Sequence, residues 1–430
     1  MSLIYNAGIR LYGTAARLAS MSSAKVARML RGQAETIERI RSFRASMAPD
    51  GFDVWFHAAS LGEFEQARPL IDILLARRHG IRILLSFFSP SGYEVRVNFH
   101  PQVAVVYLPF DLPANVDAFL DAAAPRMAIF VKYEFWANYL AALRKRRIPV
   151  YIISAIFRPG QIYFRPWGGF FRNILKNFNH LYVQDEASRR LLAGAGVTNV
   201  TVAGDTRFDR VTAIRRACKA VPEVELFKAA GATGSVTLVV GSSWERDEEH
   251  YIPWLKAHPE VRAVIAPHEF DASRLALLRE QLGPERTMLL SEFRAIVERD
   301  PEEAARTAAG LNYIIVDCFG LLSSLYRFAD IAYVGGGFGT GIHNINEAAV
   351  YGIPVVFGPR HHKFNEAAGL ITCGGAFAVD SAASVASVLT RLSTNPEARA
   401  EAGRAADAYI RSHIGATPLI MKEIFDITED

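Results

Sequence analysis

Short, nearly continuous apolar runs, separated by stretches of helical length, set the rhythm of this chain. Asp53 to Ala58, Ile81 to Phe87, Val103 to Tyr107, Met127 to Val131, Val150 to Ile153 and Leu181 to Gln184 each read as a strand buried on both faces. A second series follows at Val236 to Val240, Ala263 to Ala266, Tyr313 to Val316, Ile331 to Val334 and Pro354 to Phe357. Strands spaced by helical stretches of about 10–15 residues indicate parallel sheets covered by helices on both sides. The break at Ala203 to Asp209 divides the two series. The pattern therefore predicts an α/β protein of two doubly wound, Rossmann-like domains, residues 50–205 and 206–410, facing a central cleft. Residues 411–430 are expected to form a C-terminal helix that packs back on the first domain. In open α/β sheets ligands sit outside the carboxyl ends of the strands, so the loops there are the candidates for chemistry.

The N-terminus has a different pattern. Leu3, Ile4, Ile9, Leu11, Tyr12, Leu18 and Met21 alternate with Arg10, Arg17, Lys25 and Arg28, and no acidic residue precedes Glu35. Arg10 and Arg17 break any continuous apolar core, which argues against a signal peptide. No apolar run reaches the roughly 18–20 residues of a spanning helix. Residues 1–40 read as a basic amphipathic segment lying in a membrane interface, with a helix packed on the protein's own surface as the alternative. A polar linker is expected from Arg39 to Gly51. The net charge of +4 over 430 residues is small, so its local distribution matters more than its sum. Three widely spaced cysteines, Cys218, Cys318 and Cys373, give no disulfide framework and no zinc spacing. There is no Asp-x-Asp pattern, and no metal or other cofactor is expected.

The densest stretch is Gly335 to Pro359, GGGFGTGIHNINEAAVYGIPVVFGP. Its glycines allow the backbone to approach a ligand closely after the Ile331 to Val334 strand. His343, Asn344 and Glu347 are expected to open a helix there, with Glu347 placed to accept both hydroxyls of a ribose; a tight turn capped by Asn344 is the plainer reading. Between the first strand and its helix stands Ser60-Leu61-Gly62-Glu63. Glu63 is placed to act as a general base, or simply to complement the helix dipole. Lys132-Tyr133-Glu134-Phe135-Trp136 puts two charges and three aromatics at a strand end, either to orient an acceptor or as a structural Lys132–Glu134 pair. Ser154 to Phe178 mixes aromatics with Arg158, Arg165, Arg172 and Lys176, a composition fit for a phosphorylated amphiphile. No nucleic-acid motif accompanies it, and nucleic acid is not an expected partner. Gly241-Ser242-Ser243-Trp244, Ala266-Pro267-His268-Glu269 and Asp317-Cys318-Phe319-Gly320 end strands of the second series and are candidates for phosphate or base contacts.

Taken in order, these loops resemble the 3-deoxy-D-manno-octulosonic acid (Kdo) transferase family. The resemblance rests on Ser60, Gly62 and Glu63, on Pro109 to Pro113, on Lys132, Glu134 and Trp136, and on Gly204 to Asp209. It continues through Gly241 to Glu249 and the Gly336, Gly337, His343, Asn344, Glu347 loop with Gly358-Pro359 behind it. The resemblance implies a GT-B fold, a CMP-Kdo donor, a lipid A precursor as acceptor, and metal-free inversion on the cytoplasmic face of a bacterial inner membrane with anionic lipids. By that resemblance Glu63 would be the base. Ser60, Gly62, Lys132, Glu134, Ser154, Arg158 and Arg165 would line the acceptor side. Ser242, Pro267, His268, Gly320, Gly336, Gly337, Asn344 and Glu347 would hold the donor. The chain departs from the common family pattern at His268, at Phe319 to Leu322 and at Ser154 to Ile156. Two other readings stay open: a freely soluble GT-B UDP-sugar enzyme such as a non-hydrolysing epimerase, and a non-catalytic nucleotide- or lipid-binding protein.

Overall fold

The computed structural model describes residues 2–428, in two compact units. The first comprises Met1–Arg210 together with Ile414–Asp430, the second Val211–His413. The first is built on seven strands: β1 (Val54–Ala58), β2 (Ile83–Phe87), β3 (Val103–Tyr107), β4 (Ala128–Val131), β5 (Val150–Ala155), β6 (His180–Val183) and β7 (Val200–Val202). They lie in the order β3-β2-β1-β4-β5-β6-β7, every pairing parallel. The second holds β8 (Thr237–Ser243), β9 (Arg262–Pro267), β10 (Thr287–Leu289), β11 (Tyr313–Ile315), β12 (Ile331–Val334), β13 (Val355–Phe357) and β14 (Ala376–Ala378). Their order is β10-β11-β9-β8-β12-β13-β14, again wholly parallel. Each sheet thus reverses direction once, beside its first strand: between β1 and β4, and between β8 and β12. Such switch points open a crevice at the carboxyl edge, because the flanking loops leave to opposite faces.

The expected fold class is the one observed, and the burial explains why it was readable. Along β1 the side chains alternate between two cores, Trp55 entering one and Val54 and Phe56 the other. All five β1 residues are buried, so the strand reads as an unbroken apolar run. Three strands lie outside the sequence expectation: β7, β10 and β14. Each is three residues long and each is a sheet edge. With one neighbour they need less apolar character; Val200–Val202 is only partly buried.

Other expectations need correction. Arg39 to Met47 is not a linker: helix α2 (Ala24–Met47) continues through it, its buried Met29, Gln33, Thr36 and Ile40 recurring at helical spacing. The Thr36 hydroxyl donates to the Tyr107 carbonyl at 2.9 Å. A Cβ at Gly32 would come within 2.2 Å of the Tyr107 ring, so only glycine lets helix and strand end meet there. Residues 24–40 are therefore part of the fold. Of the residues expected to form the amphipathic segment, helix α1 (Ser2–Ala19) is the largely exposed part. The first strand of the second unit also runs on through Gly241-Ser242 to Ser243, by way of a bulge that puts Ser242 at φ 52°.

α1 is held by its polar positions. The Tyr5 hydroxyl donates to Asp111 at 2.7 Å, and the Asn138 amide donates to Asn6 at 2.8 Å. Ile4, Leu11 and Leu18 recur every seven residues on the opposite face and are 76%, 72% and 66% exposed. Leu3 and Met21 extend that face, and Arg10 and Arg17 flank it, all exposed. Among the described residues no helix is long and apolar enough to cross a membrane. The last helix, Ala416–Phe425, buries Ile420, Met421 and Phe425 in the same core as Phe56.

Candidate active site

In the first unit, the loops after β1 and β4 meet at the switch point. Helix α3 (Leu61–Arg77) starts directly after β1 and turns Phe64, Ala67, Leu70, Ile71 and Leu74 inward. This stripe fixes the rotation of its first turn and so the direction of Glu63. The Glu63 carboxylate accepts the Ala59 N–H at 2.6 Å and the Ser60 N–H at 3.2 Å. The capping role weighed for Glu63 is therefore present, and it leaves the second carboxylate oxygen outside these two bonds. Glu63 is half-buried, and burial followed by the negative charge of Glu134 pushes its carboxyl up from 4.5 to about 7. The Ala59 N–H, Lys132 and the Ser60 N–H pull the other way. A carboxyl poised near 7 suits a general base at neutral pH.

Glu134 is 8% exposed. Its Oε2 lies 2.8 Å from His57 Nε2 and accepts from Trp136 Nε1 at 2.6 Å. Lys132 has φ 61°, an uncommon backbone setting for a side chain with a Cβ, and its charge favours ionised Glu63. Tyr133 is exposed, and Arg158, Glu63, Arg207 and Asp205 all bear on its hydroxyl, so Arg158 lies by the same edge. Gly62 is exposed, with open space where a Cβ would be.

Ser154 is placed differently from the expectation. It is fully buried at φ 51°, its hydroxyl 3.1 Å from the Thr206 hydroxyl and its carbonyl accepting from Gln184. It ties β5 to the chain at Thr206 and has no free face for an acceptor. Arg165 is exposed in a loop whose carbonyl accepts from Arg172 at 2.7 Å. That loop carries Trp167, 70% exposed, and the helix after it reaches α1 through the Phe170–Tyr5 ring contact at 5.8 Å.

The second unit's switch point is built from backbone. Gly335, Gly336 and Gly337 follow β12 and are buried. A Cβ on Gly337 would sit 2.5 Å from Gly358, so the loop and the β13 end touch main chain to main chain. Asp247, in the first turn of the helix Glu245–Ala257, pins this loop. Its carboxylate accepts from the Gly336 N–H at 2.8 Å, the Trp244 N–H at 3.1 Å and the Tyr333 hydroxyl at 3.3 Å. The expected helix from His343 is much shorter: it is the single turn Asn346–Ala349. His343 and Glu347 therefore do not share a helical face. His343 instead accepts from Trp244 Nε1 at 3.1 Å and stacks with His268 at 4.6 Å between ring centres. Burial and the neighbouring His268 push its pKa down to about 4, which keeps it neutral. His268 in turn stacks on Trp244 at 4.3 Å, close after buried Pro267.

Asn344 is exposed; its amide donates to Glu347 at 3.0 Å while its carbonyl oxygen accepts the Asn346 N–H. The N-cap of the Asn346–Ala349 turn is Ile345, not the Asn344 of the plainer reading; Asn344 bridges the turn's backbone to the Glu347 carboxylate. The negative charge of Glu347 also bears on buried Tyr326. Gly320 is an exposed turn at φ 79° whose carbonyl accepts from Lys219 at 3.2 Å. Ser242 and its bulge back the Gly335 loop, the Ser242 carbonyl lying 2.3 Å from where a Gly335 Cβ would stand.

His57 and Asp247 escaped the sequence reading. A histidine inside a wholly buried strand was the one available signal for His57. Asp247 is, in sequence, no different from any acid in a helix's first turn. Among the described residues no group of three or more His, Cys, Asp or Glu side chains is arranged to hold a metal ion.

Two parallel seven-stranded Rossmann-like sheets in one chain define a GT-B-like fold. UDP-GlcNAc 2-epimerase from Neisseria meningitidis, solved bound to UDP-GlcNAc, shares it with a TM-score of 0.58 at 16% identity, over 86% of this chain and 99% of that one. At that identity the likeness is one of fold. Sequence is more specific. The family model described as 3-Deoxy-D-manno-octulosonic-acid transferase (kdotransferase) matches residues 25–210. The 3-deoxy-D-manno-octulosonic acid transferase of Bordetella pertussis is 29% identical over 426 residues, 94% of each chain. That of Rickettsia bellii is 26% identical over 352 residues, 79% of each. The chain belongs to the 3-deoxy-D-manno-octulosonic acid transferase family of glycosyltransferases.

Proposed function

We propose that the protein transfers Kdo from CMP-Kdo to a lipid A precursor (lipid IVA) at the cytoplasmic surface of a bacterial inner membrane, with inversion and without a metal. The observation that carries this reading is Glu63: a half-buried carboxyl near 7 at the switch point of the first sheet, in a chain of this family. As base it removes the proton from the acceptor hydroxyl, and the oxygen then attacks the anomeric carbon as CMP leaves. Both the carboxyl's proton affinity and its position at the strand edge favour that role over capping alone. Lys132 and Arg158 supply positive charge on the acceptor side. On the donor side, Glu347 with Asn344 fits a pair of ribose hydroxyls, and Gly336, Gly337 and Gly320 offer close backbone approach to a nucleotide. The Trp244–His268–His343 stack gives that side an aromatic wall where the common family pattern carries an arginine.

The exposed apolar face of α1, bordered by Arg10 and Arg17, supports contact with an anionic lipid surface, the place where such an acceptor resides. An epimerase of this fold needs no such face, and a mere binding module needs no base. The test is incubation with CMP-Kdo generated in place and a tetraacylated lipid A precursor, with chelator present, followed by mass spectrometry of the lipid. A gain of one or more Kdo masses is expected. An unchanged lipid, with CMP-Kdo unbound, would overturn the proposal.

A further inference from the structure

His57 is the ionisable side chain most deeply enclosed at the reactive edge, at 0% exposure. Both of its ring nitrogens are engaged. Nδ1 lies 2.9 Å from the Ser86 hydroxyl and 3.2 Å from the Ser86 carbonyl. Nε2 lies 2.8 Å from Glu134, and Trp136 Nε1 closes the triangle, 2.6 Å from Glu134 and 3.2 Å from His57. The Ser86 hydroxyl also receives the Trp55 indole N–H at 2.8 Å. Its own proton has two acceptors in reach, Nδ1 at 2.9 Å and the Phe56 carbonyl at 3.4 Å; the nearer, Nδ1, leaves the ring hydrogen on Nε2. With the ring hydrogen on Nε2, His57 donates to Glu134. A carboxylate enclosed this far needs donors to meet it, and His57 and Trp136 are those donors.

We propose that His57 is the positioning residue of this edge: braced by Ser86, it fixes the Glu134 carboxylate on the β4 loop where that loop meets the β1 loop carrying Glu63. This rests on the assignment of Glu63 as the base. The charged and titratable groups around the pair come from three directions. Lys132 and Tyr133 share the β4 loop, and Tyr163 faces Glu134 from the turn Ile162–Phe164. Arg158, Arg207 and Asp205 bear on Tyr133. Of the influences on Glu63, only burial and Glu134 raise its carboxyl, so weakening the negative charge on Glu134 must lower it.

Asparagine and glutamine separate the two ends of the histidine, because the Asn amide reaches the Nδ1 position and the Gln amide the Nε2 position. The Glu63 resonance in protein selectively labelled with 13Cδ-glutamate, identified by its loss in Glu63→Gln, would be titrated in wild type, His57→Asn, His57→Gln and Glu134→Gln. Wild type is expected to titrate near 7. Glu134→Gln should lower the midpoint by about one pH unit. His57→Asn, which serves Ser86 but leaves Glu134 without its donor, should lower it similarly, with the acid limb of kcat/KM moving the same way. His57→Gln should stay within a few tenths of a unit of wild type. The proposal is overturned if His57→Asn keeps the wild-type midpoint, or if both replacements move it equally. Because the titration is read without turnover, an intact transfer rate in Glu63→Gln would refute the base assignment separately.

Discussion

The two sheets share a strand order around their switch points, yet they end in opposite chemistries. In the first unit the β1 and β4 loops bring together side chains that hold or lose protons: Glu63, Glu134, Lys132 and, behind them, His57. In the second, the β8 and β12 loops expose backbone, pinned by Asp247 and walled by a histidine kept neutral. The same topology ends in enclosed charges in one unit, the edge proposed for chemistry, and in small residues with open main chain in the other, the edge proposed for the donor. The difference lies in a few residues at strand ends, which is why fold likeness to an epimerase says nothing about reaction.

The largest test of that contrast is Glu63→Gln. Transfer should fall by about 10²- to 10⁴-fold, while CMP-Kdo affinity measured calorimetrically stays within about twofold; joint loss would assign Glu63 to binding instead. Next comes Asp247→Ala. It strands the Gly336 and Trp244 N–H groups and the Tyr333 hydroxyl, and should reduce unfolding free energy by about 3 kcal/mol, with donor affinity falling too. Retained stability in denaturant titrations would show that the Gly loop holds itself. Glu347→Gln should raise the donor KM by about tenfold, roughly 1.4 kcal/mol, and leave kcat nearly unchanged. A kcat effect of equal size would move Glu347 from binding to chemistry.

A smaller and sign-specific effect follows from the Glu63 carboxyl, which titrates at 4.5 when free and at about 7 here. The folded state holds its proton more tightly than the unfolded state does. Its contribution to stability is therefore complete below 4.5 and is lost as pH rises through about 7. Transfer should rise over the same range, since the base works ionised. Comparing thermal midpoints of wild type and Glu63→Gln at acid and mildly alkaline pH should show the wild type losing more stability; parallel curves would contradict the raised value. Last, Leu11→Asp with Leu18→Asp on α1 should weaken sedimentation with anionic vesicles severalfold without altering turnover on a detergent-dispersed acceptor. Truncation is a poorer probe if it runs past Met21, because α2 belongs to the core.

What could be read in the sequence follows from burial. Central strands such as Ile331–Val334 are enclosed on both faces and leave a continuous apolar run, whereas β7, β10 and β14 have one neighbour each and leave almost none. Glu63 and the Lys132–Trp136 cluster were legible because charges at the end of an apolar strand have no packing reason to be there. His57 was not, since its partner Glu134 stands 77 residues away and only the fold joins them. The short turn at Asn346–Ala349 misled for a related reason: its sequence is helix-compatible, but Asn344 turns back to hold Glu347 instead of extending a helix. The N-terminal stretch divided in a way hydropathy alone does not show, with α1 exposing its leucines and α2 burying its stripe.

The helix Ala416–Phe425 has a temporal consequence. Asp209 accepts the Gly415 and Thr417 N–H groups at 2.6 and 2.7 Å, seating the returning chain where the first unit left off. Ile420, Met421 and Phe425 then fill the core shared with Phe56 and Ile129. During synthesis the first unit must therefore wait, with one side of its core open, while the ribosome makes all of Val211–His413. The second unit, continuous in sequence, can close as soon as it emerges. The nascent protein completes its second unit before its first, and Glu63 is seated in a finished core only when the helix Ala416–Phe425 arrives.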